Sequence, residues 1–131
     1  MNSQILNCIL VDDQSFAIEN LKEQIELHPS LKILAIFTDP RDAMAYLQKS
    51  TGIDILFSDV DMPWLSGIEL AAKTRHLYPH LVFVTAHPAM SFRPTGVGIY
   101  HHLHKPFSAL KFQEVLQAIL ESASNFRQDK I

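Results

Sequence analysis

Five short apolar runs, each separated from the next by a polar or helix-like segment, constrain the fold of this chain more than any other feature. The first run, residues 8–11, is apolar throughout and contains β-branched side chains, as expected of a strand buried on both faces of a sheet. Runs at 32–37, 54–57 and 81–84 have the same character, and three histidines dilute a fifth run at 99–104. The pattern predicts five strands.

Residues that begin helices stand between these runs. Asp39 followed by Pro40 supplies an N-cap acceptor and a proline at the first helical position. Ser66 and Glu69 have the spacing of a capping box, and Ser108 precedes an amphipathic segment near the end of the chain. Alternating strands and helices predict an α/β fold of the flavodoxin-like, doubly wound type, with a parallel five-stranded sheet of order 2-1-3-4-5.

The segment where a fourth helix belongs, residues 89–98, is unsuited to helix formation. Pro88, Pro94, Gly96 and Gly98 lie in or beside it. Proline removes a helical hydrogen bond and glycine increases the entropy lost on folding. The fourth helix is therefore expected to be short, broken or absent.

Size and charge limit the classes of function. With 131 residues, one domain is expected, placed at 1–124, with a polar tail or the start of a linker at 125–131. The formal net charge of -3 argues against nucleic-acid binding by this segment. Cys8 is the only cysteine, which excludes an internal disulfide. Neither a membrane-spanning run nor a signal peptide is recognisable, so a cytoplasmic location is expected.

Polar residues follow four of the predicted strands, where parallel strands bring their carboxyl ends to one edge of the sheet. Three carboxylates placed together there repel one another unless protons or a divalent cation neutralise them. Magnesium prefers oxygen ligands and retains water beside one or two carboxylates, so it suits this cluster. The residues concerned are Asp12 and Asp13, Asp59, Thr85 and Ala86, and Lys105 and Pro106.

At these positions the chain resembles the response-regulator receiver (CheY-like) family along nearly its whole length. The resemblance rests on the segments at 11–13, 59–63 with 66–67, 84–86 and 105–107. The spacing of twenty positions from Thr85 to Lys105 is most similar to that in receivers of the LytTR (LytR/AlgR-like) transcription regulators, and so is the sequence at 66–70.

The resemblance implies a role for each residue of the set. Asp59 is expected to be the phosphoacceptor, and Asp13, Asp59 and the backbone carbonyl of Asp61 to bind Mg²⁺ directly, with Asp12 acting through water. The expected phosphate-binding and switch residues, and the expected cis-proline, are Thr85, Ala86, Lys105, His102 and Pro106.

A receiver of this kind accepts a phosphoryl group from a sensor histidine kinase and catalyses only its own phosphorylation and dephosphorylation. The expected output surface is formed by the fourth and fifth strands and helices. It would contact an attached or partner output domain that controls transcription, or a second copy of the chain.

Two alternatives remain open at this point. A stand-alone or degenerate receiver would act only as a binding adaptor, and the expected disruption of the fourth helix favours the degenerate form. A haloacid-dehalogenase-like phosphatase is suggested by Asp59 and Asp61 after an apolar run, but the acidic pair at 12–13 and Met62–Pro63 argue against it. A histidine metal site at His102 and His104 is less favoured than a strand that tolerates histidine.

Overall fold

The structure is a computed structural model that describes residues 4–129, with side chains as far as residue 123. Strands and helices alternate along the chain. The strands are β1 (Leu6–Val11), β2 (Leu31–Phe37), β3 (Ile55–Ser58), β4 (His80–Thr85) and β5 (His101–His104). The helices are α1 (Ser15–Glu26), α2 (Pro40–Gln48), α3 (Gly67–Thr74) and α4 (Ala109–Asp129), with 3₁₀ turns at Arg75–Leu77 and Ala89–Ser91.

All four strand pairings are parallel, and the sheet order is β2-β1-β3-β4-β5. The predicted α/β fold and strand order are therefore confirmed. Helices cover both faces of the sheet, which gives the molecule two apolar cores. Leu10 and Phe57 pack with Phe112 in one core, while Ile9 and Leu56 belong to the other. The side chains of a central strand thus alternate between two buried layers, which explains the uninterrupted apolar runs.

The predicted helix caps are present. The Asp39 side chain accepts the backbone N–H of Arg41 at 2.9 Å. Ser66 and Glu69 form a reciprocal capping box, in which each side chain accepts the other residue's backbone N–H at 3.1 Å. Ser108 caps α4 by accepting the backbone N–H of Lys111 at 3.1 Å. These caps satisfy N–H groups that have no partner within their helix.

The connecting segment, residues 86–100, contains only the 3₁₀ turn Ala89–Ser91 in place of a fourth crossover helix. This confirms that the helix is disrupted. Phe92 fills the space instead: it is buried and makes edge-to-face contacts with Phe83 and Tyr100. The Arg75 guanidinium donates to the carbonyls of Val97 at 2.7 Å and Ile99 at 2.9 Å, among others. The segment is thus held by aromatic packing and one arginine.

The fifth strand begins at His101, two residues later than the apolar run suggested. Gly98 has a φ of 67°, which turns the backbone away from the extended conformation immediately before the strand. Ile99 consequently lies outside the sheet with an exposed side chain, and its carbonyl bonds Arg75 instead of a strand.

Helix α4 continues to Asp129, so the predicted domain boundary after residue 124 lies within it. The predicted tail or linker at 125–131 falls partly on this helix and partly outside the described residues, and it stays a prediction. Across the described range, no helix combines the length and apolar character required to cross a membrane.

Candidate functional site

Three carboxylates meet at the carboxyl ends of the adjacent strands β1 and β3. Asp12, Asp13 and Asp59 each offer an oxygen, and these oxygens all lie within 4.8 Å of one another. Asp12 and Asp59 are buried, whereas Asp13 is exposed at the rim. Parallel pairing aligns Val11 with Ser58, which places the residues that follow the two strands side by side. Within residues 4–129 no other His, Cys, Asp and Glu group has this geometry.

Asp59 lies in the most constrained environment of the three, with only 7% of its surface exposed. Its Oδ1 accepts the backbone N–H of Val60 at 2.8 Å, and its Oδ2 lies 3.6 Å from Lys105 Nζ. Burial raises the pKa of the Asp59 carboxyl, the charge of Asp12 raises that pKa further, and the Lys105 ammonium partly opposes the rise. Nearby positive charge therefore compensates the Asp59 anion only in part, and a bound cation would supply the remainder.

The raised pKa predicts how the metal-free protein responds to pH. Because the folded-state pKa of Asp59 lies above its unfolded value, the protonated carboxyl favours folding below the unfolded pKa. That contribution is lost as the pH rises through the folded-state pKa. Metal-free D59N should therefore be more stable than metal-free wild type at pH 7, by on the order of 1 kcal/mol or roughly 3–5 °C in Tm.

Thermal unfolding in EDTA, measured from pH 4 to pH 8, checks this expectation. The stability difference between the two proteins should shrink toward the acid end of the range. An Asp59→Asn protein less stable than wild type throughout would contradict it.

Lys105 closes the site from the fifth strand. Its Nζ donates to Asp12 Oδ2 at 2.6 Å, while Asp12 Oδ1 accepts the backbone N–H of Gln14 at 3.0 Å. The Lys105 backbone N–H donates to the Thr85 carbonyl at 2.8 Å, and the Lys105–Pro106 peptide bond is cis. One ammonium is thus shared between two buried carboxylates, closer to Asp12 than to Asp59.

A hydrogen-bonded chain connects the site to the connecting segment. Thr85, which is fully buried, accepts the backbone N–H of His87 on its Oγ1 at 3.2 Å. The His87 ring nitrogen Nε2 lies 2.7 Å from Asp61 Oδ2, and the His87 carbonyl accepts from His102 Nε2 at 2.8 Å. His87 therefore bridges the loops after β3 and β4. Ala86 follows Thr85 at the exposed mouth of the site.

Gly67 is a site residue that the sequence marked only as part of a motif. Its N–H donates to the Val60 carbonyl at 2.9 Å. A methyl group on Gly67 would overlap the backbone carbonyl oxygen of Asp59, which also accepts from Ser58 Oγ at 2.8 Å. The residue must be glycine because of space, since its φ lies outside the left-handed region. Its position directly after the capping serine was the signal in the sequence.

Trp64 has an unusual backbone in the loop that follows Asp59. Its φ is 70°, the only positive φ at a non-glycine residue among those described. A side chain in that region costs about 1–2 kcal/mol. The residue is 69% exposed, so burial does not offset this cost. The guanidinium carbon of Arg41 lies 4.0 Å from the centre of the ring.

The donor set fits magnesium. The cluster provides only oxygen ligands, two of its carboxylates are buried, and the single nearby ammonium is already bound to Asp12. Mg²⁺ is a hard cation that is bound through a few carboxylate oxygens and keeps several waters in its remaining coordination positions. Asp12, Asp13 and Asp59 would hold such an ion, and Asp13 leaves its outer side accessible to solvent.

A histidine metal site at His102 and His104, which the sequence disfavours, has no comparable support in the structure. The His102 and His104 rings are stacked with centroids 6.2 Å apart. In the part of the chain that the structure describes, these histidines belong to no group of three potential ligands.

Comparison with known proteins identifies both the sequence family and the fold. The sequence profile described as "Response regulator receiver domain" matches residues 8–119. The sensory transduction protein LytT of Enterococcus faecalis is 30% identical over 114 residues, which cover 86% of this chain and 47% of LytT. An uncharacterized response regulatory protein of Yersinia pestis is also 30% identical, over 113 residues that cover 86% of this chain and 47% of that protein. The chain spans about half the length of these curated relatives.

Solved structures share the fold at lower identity. The response regulatory domain of MrkE from Klebsiella pneumoniae superposes with a TM-score of 0.74 at 24% identity, covering 88% of this chain and 99% of that one. The REC domain of AraT from Geobacillus stearothermophilus gives 0.79 at 21% identity, covering 95% and 99%. A CheX–CheY–BeF3–Mg complex from Borrelia burgdorferi gives 0.76 at 17% identity, covering 88% and 89%.

Proposed function

The chain belongs to the response regulator receiver domain family, and we propose that it accepts a phosphoryl group on Asp59 in a magnesium-dependent reaction. The observation that carries this proposal is the meeting of three carboxylates and one ammonium at the carboxyl end of the sheet. The same positions match the motifs through which the sequence resembles receivers. Because the family is a signalling family, the expected outcome of phosphorylation is a change in the conformation of the protein itself.

The chemistry follows from the groups present. An Asp59 carboxylate oxygen attacks the phosphorus of the donor, an O–P bond forms, and the bond from phosphorus to the leaving group breaks with its electron pair. Bound magnesium would supply positive charge to the carboxylates and the phosphoryl oxygens. Lys105 Nζ, 3.6 Å from Asp59 Oδ2, is within reach of a phosphoryl oxygen on that atom. The Thr85 hydroxyl and the Ala86 N–H would be further donors to the phosphoryl oxygens.

The series of hydrogen bonds through His87 offers a route from the site to the protein surface. A phosphoryl group that drew the Thr85 hydroxyl toward Asp59 would compete with the bond from the His87 N–H to Thr85 Oγ1. The bonds from His87 to Asp61 and from His102 to the His87 carbonyl would change with it. The connecting segment and β5 would then form the switched face, in agreement with the expected role of His102.

The partners belong to the same proposal. A sensor histidine kinase would be the phosphodonor. An attached or partner output domain would receive the signal. The similarity to LytT favours transcription control of the LytTR type, and a homodimer would use the face around β4 and β5.

One feature favours the binding-adaptor alternative: the connecting segment between β4 and β5 holds only a 3₁₀ turn in place of a crossover helix. The phosphatase alternative is disfavoured because Asp61, which would be its general acid, is bound by His87 outside the carboxylate cluster. An adaptor needs no magnesium site, and a phosphatase would turn over phosphomonoesters, so metal binding and turnover separate all three functions.

Magnesium binding tests the proposed function with a signal already in the chain. Trp64 is the only tryptophan and follows Asp59 by five positions. Titration with MgCl2 should change its fluorescence saturably, and D13A should abolish the change, because Asp13 supplies an expected ligand.

Asp42→Asn, an exposed acidic residue in the first turn of α2, is the matched control and should titrate like wild type. Absence of a saturable response in the wild-type protein, with calorimetry also showing no binding, would exclude the receiver function in favour of the adaptor.

A further inference from the structure

Backbone hydrogen bonds close the strained loop after Asp59 at its base and around its tip. We define the acceptor loop as residues 60–66. At its base the Gly67 N–H donates to the Val60 carbonyl at 2.9 Å, and at its tip the Leu65 N–H donates to the Pro63 carbonyl at 2.8 Å, across Trp64. The expected magnesium ligand from this loop is the backbone carbonyl of Asp61. The Asp61 side chain is exposed and bonds only His87 among the described residues.

The tip of the acceptor loop is held by a side chain from another element. Trp64, at the tip, has the left-handed backbone described above and an exposed ring, so neither glycine-like freedom nor burial explains its conformation. The Arg41 guanidinium lies over that ring, 4.0 Å from its centre, in the geometry of a cation–π contact. Arg41 belongs to the first turn of α2, so the contact joins α2 to the acceptor loop.

Arg41 is itself fixed in place. Its Nε donates to Asp39 Oδ1 at 3.1 Å and its Nη2 donates to Asp39 Oδ2 at 2.8 Å, a two-pronged pairing that fixes the plane of the guanidinium. Asp39 is the N-cap of α2 and accepts the Arg41 backbone N–H as well. The guanidinium over Trp64 is therefore anchored on a helix terminus, and a flexible cation in the same place would restrain the ring less.

We infer that Arg41 and Trp64 are positioning residues for magnesium: their stack keeps the acceptor loop, which carries the expected backbone ligand at Asp61, in one ordered conformation. This inference rests on the proposed function and deepens it. A loop that is already ordered loses less entropy when the ion binds, so the stack strengthens binding without touching the metal. Asp39 takes part through Arg41.

Electrostatics alone predicts the opposite change in magnesium affinity when Arg41 is removed, and this difference makes the inference testable. Removing a cation near an acidic site should strengthen magnesium binding, because less positive charge opposes the ion. Loss of the stack should instead weaken it. Arg41→Ala is therefore expected to raise the magnesium Kd roughly two- to fivefold, the range for an exposed cation–π contact. Lys73→Ala, which removes an exposed cation from the last turn of α3, is the matched charge control.

Isothermal titration calorimetry on wild type, R41A, W64G, the R41A/W64G double variant and K73A provides the test. Trp64→Gly keeps a residue suited to the left-handed backbone but removes the ring, so it should weaken binding as R41A does. The double variant should bind no more weakly than the weaker single variant, because the two substitutions remove one contact. K73A should stay at or below the wild-type Kd.

Hydrogen exchange of the metal-free proteins gives a readout that needs no ion. Amides of residues 60–66 should exchange faster in R41A than in wild type, while β1 and β4 amides keep their rates. An R41A Kd equal to or tighter than wild type, or unchanged exchange in the acceptor loop, would overturn the inference and leave the proposed function intact. A wild-type protein that binds no magnesium would overturn the proposed function itself.

Discussion

Replacement of Asp59 by asparagine should abolish phosphoryl incorporation from acetyl phosphate and magnesium, reducing it by at least about a thousandfold. Asparagine preserves the shape of the side chain and can still accept the Val60 N–H, but it removes the anionic nucleophile. The thermal unfolding measurement described for the same variant separates loss of incorporation from loss of the fold. Intact-mass spectrometry over a time course measures the result.

Asp42→Asn again serves as the control, since it makes the same substitution at an exposed position on α2. It should incorporate phosphate at the wild-type rate. Undiminished labelling of D59N would show that another residue accepts the group and would contradict the assignment of Asp59.

Replacement of Gly67 by alanine should have the largest effect on the fold of the site. The added methyl group would overlap the Asp59 carbonyl, a backbone atom that Ser58 also binds, so the clash cannot be relieved by rotating a flexible side chain. We expect destabilisation of about 2–4 kcal/mol, as for overpacking at a rigid position. Asp59 should also be displaced, so that magnesium binding falls by more than about tenfold.

Gly52 provides the matched glycine control. Its φ is 77°, but a methyl group there would meet nothing within 4 Å. Gly52→Ala should therefore cost about 1–2 kcal/mol through backbone strain alone and leave magnesium affinity unchanged. Urea denaturation and calorimetry measure the two quantities. A G67A protein as stable as wild type, with normal magnesium affinity, would contradict the close approach of α3 to the acceptor carbonyl.

The fold was predictable because each local signal agreed with the global arrangement. The continuous apolar runs reflect burial on both sheet faces, and the caps at Asp39, Ser66 and Ser108 reflect backbone N–H groups that need acceptors. The disrupted fourth helix followed from proline and glycine chemistry. The start of β5 was placed too early, since the apolar run includes Ile99, whereas the turn at Gly98 and the bond from Arg75 keep it out of the sheet.

The membership of the carboxylate cluster was also predictable, because parallel strands place their following residues at one edge. The contacts between its parts were not. The bond from His87 to Asp61 spans 26 positions and depends on two loop conformations. The stack of Arg41 on Trp64 depends on a left-handed tryptophan that no propensity predicts. The need for glycine at 67 arises from a contact with the Asp59 carbonyl, which periodicity does not encode.

The proposed function requires that this pocket stores a phosphoryl group on one particular carboxylate, that of Asp59. The most direct measurement is peptide mapping by tandem mass spectrometry after the wild-type protein has reacted with acetyl phosphate and magnesium, with borohydride reduction to mark acyl phosphates. We expect a single marked residue, Asp59, and the mark should be absent when EDTA replaces magnesium. A marked residue elsewhere, or an unmodified Asp59 in a protein that has bound magnesium, would contradict it.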